Sequence, residues 1–171
     1  MIILGIDPGT NRTGWGVITK KVTEKKDTKI TYVGHGCIIT EKINTMPERL
    51  LLLHVTLNEL VKKHNPDCLI VENIFFGRNV KTAISVSQAR GVIMLSAALF
   101  DLPVFEYGPS TVKLTLTGSG KTDKKGVQET VRTFLNSNDT VLSFTGKKDK
   151  KDFDDSADAL AIAIHHAIKL V

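Results

Sequence analysis

Between Met46 and His64 the aliphatic residues Leu50, Leu53, Leu57, Leu60 and Val61 recur at three- and four-residue steps, which is one face of a helix with about 3.6 residues per turn. Pro66 stops that helix, and Cys68-Leu69-Ile70-Val71 follows as a short continuous apolar run, the pattern of a strand covered on both faces. A helix that returns the chain to a buried strand lays it parallel to an earlier one, so part of the sheet must be parallel. The earlier strand is at hand. Residues 2–7 form a compact apolar run, Gly9 to Gly14 is rich in turn formers, Trp15 to Thr19 resumes the apolar run, and Ile30 to Thr40 is β-branched and punctuated by glycine. These stretches predict an antiparallel three-stranded meander.

Downstream, residues 79–100 carry the alanines and aliphatics of a long, largely buried helix, and Pro103 to Tyr107 reads as another strand. Pro109 and Ser110 suit a helix start, Gly118-Ser119-Gly120 breaks that helix, and Lys125 to Leu135 is helical again. Residues 136–153 read as a polar, lysine-rich connection. Ala157, Leu160, Ala161, Ile164 and Ile168 then trace the apolar stripe of a closing helix over 156–171. The predicted class is α/β, with a mixed five-stranded sheet (meander plus parallel strands) flanked by helices. At 171 residues the expectation is one domain spanning 1–171.

No apolar stretch approaches the roughly 18 residues of a membrane span, and Met1 to Asp7 lacks the basic start of a secretory signal. The chain is therefore expected in the cytoplasm, with no membrane partner. Cys37 and Cys68 lie far apart in apolar runs and read as small buried hydrophobes rather than a disulfide or a metal site. Lysine and arginine total 23 against 18 acids, a formal charge of +5. The lysines gather in Lys20 to Lys29, Lys113 to Lys125 and Lys147 to Lys151, a distribution that favours a polyanion such as nucleic acid.

Against that basic background, certain carboxylates are out of place. Asp7 ends the first apolar strand and Glu72 ends Leu69-Ile70-Val71; a charge there must reach solvent or meet a cation. Parallel strands set such ends along one rim, where open α/β sheets hold their ligands. Asp155 and Asp158 stand three residues apart, hence on one face of a helix beginning there, with Asp154 as its cap. Four carboxylates at one site raise each other's pKa until a counter-charge arrives, and hard divalent cations supply it. Two Mg2+ ions would balance four such charges, and two metals suit phosphodiester hydrolysis.

The motifs Gly5-Ile6-Asp7-Pro8-Gly9-Thr10, Thr13-Gly14-Trp15-Gly16, Val71-Glu72, Gln88-Ala89-Arg90-Gly91, Val104-Phe105-Glu106-Tyr107 and Asp155-Ser156-Ala157-Asp158-Ala159-Leu160-Ala161 together resemble the RuvC family of bacterial Holliday junction resolvases. The match runs in order along nearly the whole chain. The resemblance implies an RNase H-like fold and a homodimer that uses Mg2+ or Mn2+ to nick two strands of like polarity at a four-way DNA junction. It makes Asp7, Glu72, Asp155 and Asp158 the catalytic acids and metal ligands, two ions per site. Lys113 and Lys124 fall where the family places lysines near the scissile phosphate, consistent with offsetting transition-state charge. Phe75 matches an aromatic that stacks on bases at the opened junction centre, with Arg78 and Asn79 continuing its loop; Lys121 and Lys125 join the expected DNA contacts. The RuvA and RuvB branch-migration proteins are expected partners on the same ground, and the helix from Asn79 to Phe100 is the candidate dimer face. His165 and His166, two turns beyond Asp158, read as exposed or structural.

Three rival readings stand beside this one. Gly118-Ser119-Gly120-Lys121-Thr122 imitates the end of a phosphate loop, but Thr115 occupies the position where that motif needs its first glycine. Gly5 to Thr10 also resembles the phosphate loop of actin-like sugar kinases, whose nucleotide sits between two such domains. A junction-binding module without catalysis is the other alternative, and the presence of all four acids weighs against it.

Overall fold

The computed structural model describes residues 1–22, 28–73, 80–137 and 147–170, with only the backbone given for 80–82, 137, 147–152 and 155. Strands β1 (Ile2–Asp7), β2 (Arg12–Val22) and β3 (Thr28–Ile39) form the meander. Helix α1 (Met46–His64) leads to β4 (Cys68–Glu72), and α2 (Val80–Leu99) to β5 (Val104–Tyr107). Helices α3 (Pro109–Thr117), α4 (Lys124–Ser137) and α5 (Lys147–Lys169) complete the chain. The sheet order is β3-β2-β1-β4-β5, antiparallel from β1 through β3 and parallel among β1, β4 and β5. The predicted mixed sheet is therefore present. Among the described residues no helix is long and apolar enough to cross a membrane.

Alternation along each strand sorts the core into two layers. Leu4, Ile6, Leu69 and Val71 pack toward α1 and α2, while Ile3, Cys68 and Ile70 pack toward α3, α4 and α5. Helix α5 lies very close to the sheet, and glycine makes this possible. A Cβ at Gly5 would stand 2.1 Å from the Ala159 carbonyl oxygen, and one at Gly16 would stand 2.7 Å from the Leu160 side chain. Cys37 and Cys68 are both free thiols.

Two expectations need correction. Helix α5 begins at Lys147 rather than near Asp155, so Asp154 lies inside the helix and does not cap it. Phe153 anchors this extension: fully buried, it lies under the Arg132 guanidinium and edge-on to His35. Helix α2, read as largely buried, leaves Ile84, Leu95 and Leu99 exposed, because no described element covers that face.

His165 and His166 are both buried. The Tyr107 hydroxyl and His166 Nδ1 are 2.8 Å apart, whereas His165 meets the Tyr107 ring edge-on, centroids 4.4 Å apart, and among the described residues neither of its ring nitrogens has a hydrogen-bond partner. Burial, helped by Lys169 and His166, pushes the His165 pKa down to about 4. The unfolded chain, with histidine near pKa 6.5, therefore binds a proton that the folded chain refuses. The stability from this group is complete above about pH 6.5 and drains away as pH falls toward about 4, on the order of 2 to 3 kcal/mol. Urea melts at pH 7 and pH 4.5 check this: the loss on acidification is expected to shrink in His165→Leu, and an equal loss in both proteins would refute it.

Candidate active site

Strand parity aims the first two acids. Asp7 shares its face of β1 with Ile3 and Gly5, and Glu72 shares its face of β4 with Cys68 and Ile70, so both lie on the side covered by α5. The parallel register pairs Ile6 with Val71, and Asp7 and Glu72 follow one step beyond, at the carboxyl ends of adjacent strands. Their carboxyl groups hydrogen-bond to each other. Burial, then the charges of Glu72 and Asp158, hold the Asp7 pKa well above the usual carboxylate range, with Lys124 opposing. Burial also raises Glu72, opposed by the hydrogen bond from Asp7 and by Lys113 and Lys124. Two carboxylates this close cannot both ionise freely, and Asp7, the more deeply buried, is the one whose protonated form is favoured.

Asp158 arrives from α5, and its Oδ2 lies 3.2 Å from Lys124 Nζ at the start of α4. Glu72, Lys113 and Asp158 line one cleft with Pro109, Val112, Val127, Ala161 and Ile162, enclosing about 20 Å3, room for a water-sized occupant. Two strands and one helix thus bring Asp7, Glu72 and Asp158 within electrostatic reach of one another, with Lys113 and Lys124 beside them. Asp155 sits one turn before Asp158 in α5; its side chain is outside the described residues. So are Phe75, Arg78 and Asn79. Lys121 and Lys125 are exposed around the start of α4.

Among the described residues no three of the His, Cys, Asp and Glu side chains are gathered closely enough to hold a metal ion. The chemistry of the donors nonetheless fits a hard divalent cation: the acids offer only oxygen, and Asp7 and Glu72 share a proton where a cation would relieve their repulsion. Lys124 already meets Asp158 with positive charge. Sequence reasoning missed Tyr107, which pairs in register with Glu72 and braces α5 through His165 and His166. Its only signal was an aromatic ending a strand.

The glycine loop after α3 is not a phosphate cradle. Gly118 takes the left-handed conformation (φ 76°) as the C-cap of α3, and the Thr117 and Thr122 hydroxyls, 2.6 Å apart, close the loop on itself. A phosphate loop joins a strand to a helix; this one joins two helices.

Comparison with known proteins agrees with the geometry. The family model for crossover junction endodeoxyribonuclease RuvC matches residues 3–166. A crossover junction endodeoxyribonuclease RuvC of Desulfitobacterium hafniense (strain DSM 10664 / DCB-2) is 45% identical over 167 residues, which cover 98% of this chain and 92% of that protein. The structure of Thermus thermophilus RuvC superposes with a TM-score of 0.81 at 29% identity, covering 99% of this chain and 95% of that one. T. thermophilus RuvC in complex with Holliday junction substrate gives 0.80 at 28% identity, with the same coverage.

Proposed function

Because the chain belongs to the RuvC family of crossover junction endodeoxyribonucleases, we propose that it is a Holliday junction resolvase, an endonuclease that nicks two strands of like polarity at a four-way DNA junction in recombination and repair. The fold is RNase H-like, in one domain spanning 1–171. One observation carries the reading: the buried, proton-sharing pair Asp7 and Glu72, with Asp158 adjacent, lies in a chain of charge +5 whose relative was solved on a Holliday junction.

The family is metal-dependent. Asp7, Glu72, Asp155 and Asp158 would hold two Mg2+ ions, with Mn2+ as a substitute, and bound cations would supply Lewis acidity to the attacking water and the leaving oxygen. The protein's own contribution is to aim the carboxylates and surrender the Asp7 proton as the site fills. Lys113 and Lys124 offset negative charge growing on the scissile phosphate. Phe75, Arg78, Asn79, Lys121 and Lys125 are the proposed contacts to junction DNA. Action beside RuvA and RuvB in the cytoplasm completes the reading. The nucleotide-binding and catalysis-free alternatives are not favoured: the Gly118 loop is a helix cap, the family match is to crossover junction endodeoxyribonucleases, and Asp7 and Glu72 lie within electrostatic reach of Asp158.

A junction with paired nick sites calls for two active sites, and the surface offers a way to provide them. Ile84, Leu95 and Leu99 of α2, at 62%, 55% and 60% exposure, form an apolar stripe, joined by exposed Leu51, Leu52 and Val55 of α1. Gly91, in the middle of α2, has open space above it, which allows close helix approach. A second copy of the chain is the proposed occupant. Leu95→Asp is expected to shift the protein from dimer to monomer in sedimentation at micromolar concentration and to abolish paired incision. A variant that remains dimeric would move the interface elsewhere.

The test of function is to incubate the protein with Mg2+ and a mobile four-way junction, a linear duplex and an RNA–DNA hybrid, then map incisions. Paired nicks confined to the junction are expected. Cutting of the hybrid alone would overturn the reading.

A further inference from the structure

The four residues after Asp7 turn the chain from β1 into β2, and the carbonyls of the last three are each held by a hydrogen bond. Thr13 Oγ1 donates to the Gly9 carbonyl at 2.6 Å, Thr40 Oγ1 donates to the Thr10 carbonyl, and the Thr40 amide donates to the Asn11 carbonyl at 3.0 Å. Two of these three bonds thus come from Thr40, a buried residue just past the end of β3. Arg49, in the first turn of α1, closes the system. Its Nε donates to Thr40 Oγ1 at 3.0 Å and its Nη2 to Asn11 Oδ1.

The Thr40 hydroxyl is therefore a relay, accepting from Arg49 while donating to the carbonyl three residues past Asp7. Arg49 spends both bonds on neutral oxygens; among the described residues no carboxylate pairs with it. A guanidinium fork that grips two points at fixed spacing restrains a turn more tightly than one flexible ammonium could. Sequence alone gives no hint of this, because Asn11, Thr40 and Arg49 are separated by 29 and 9 residues.

We propose that Arg49 is a positioning residue for the acid site: through Thr40 and Asn11 it locks the 8–11 turn, so that Asp7 presents its carboxylate to a divalent ion from a fixed backbone. The proposal rests on Asp7 being a metal ligand. Function of this kind depends on ligands being held to within about 0.5 Å by a supporting layer of hydrogen bonds.

The variants Arg49→Ala, Arg49→Lys and Thr40→Val, made in the full chain, test it with two readouts. In the metal-free protein, amide hydrogen exchange across residues 9–13 is expected to quicken about tenfold in each, while β4 and α5 are unchanged; loss of the supporting hydrogen bonds predicts a Mn2+ dissociation constant raised by about 10-fold. Junction affinity without metal is expected to stay within about twofold. Arg49→Lys separates geometry from charge: because lysine cannot span both acceptors, it is expected to behave like Arg49→Ala. The double variant Thr40→Val with Arg49→Ala is expected to be no worse than either single change. Unchanged exchange in the turn, or full rescue by lysine, would overturn the proposal. Asp7→Asn serves as the reference: if it binds Mn2+ as the unaltered protein does, the reading of Asp7 has failed, whereas the exchange data still report on the lock itself.

Discussion

Asp7→Asn is expected to lower the nicking rate by at least about a thousandfold, some 4 kcal/mol of transition-state stabilisation, while metal-free junction binding stays within about twofold. Asparagine keeps the shape of the side chain and one oxygen but gives up the charge that draws a cation to the end of β1. Among the described acids Asp7 is the one raised furthest, by burial first and then by the charges of Glu72 and Asp158, so no nearby carboxylate stands in an equivalent place. The lysines proposed to meet backbone phosphate are untouched, which is why binding is expected to persist. Glu72→Gln and Asp158→Asn are expected to follow the same pattern, and gel-shift and cleavage assays on one labelled junction check both halves. A variant that still cuts at wild-type rate would remove Asp7 from the catalytic set.

The same substitution is expected to make the metal-free protein more stable at pH 7.5, by about 1 to 2 kcal/mol, or a few degrees in thermal midpoint for a chain of this size. The sign follows from the raised pKa. The folded state holds a proton on Asp7 that the unfolded chain releases at lower pH, so stability from this group is full below the ordinary carboxylate range and is lost as pH rises through the folded value. At pH 7.5 the native site must either keep a proton that the unfolded chain has given up or bear crowded negative charge, and asparagine avoids both costs. Divalent ions relieve it differently, by binding the native state only. Millimolar Mg2+ is therefore expected to raise the melting point of the unaltered protein and leave Asp7→Asn nearly where it was. Equal metal-induced shifts in both would contradict this account.

Much of this site was legible because charge at the end of a buried strand has few innocent explanations. Asp7 and Glu72 stood out against Ile2 to Ile6 and Cys68 to Val71, and the helix from Met46 to His64 required their strands to be parallel, which made them neighbours. The ion pair of Lys124 with Asp158 sits where family resemblance expected a lysine. The start of α5 was hidden because Lys147 to Asp152 has the composition of a loop, and only the buried Phe153 gives the helix a reason to extend. The open face of α2 was hidden for the opposite reason. A helix apolar on all sides carries no periodicity to say which face its own fold covers. Arg49 belongs to a third class, since hydrogen bonds between a turn, a strand end and a helix start leave no local pattern to read.

Calorimetric titration of Mn2+ into the metal-free protein, repeated in two buffers of different ionisation enthalpy, tests the central claim most directly. Saturable binding with release of a proton is expected, since a cation must displace the one that Asp7 shares with Glu72, and both the binding and the release should vanish in Asp7→Asn. Isotherms that superimpose for the two proteins, with no proton released, would mean that these carboxylates do not form a metal site.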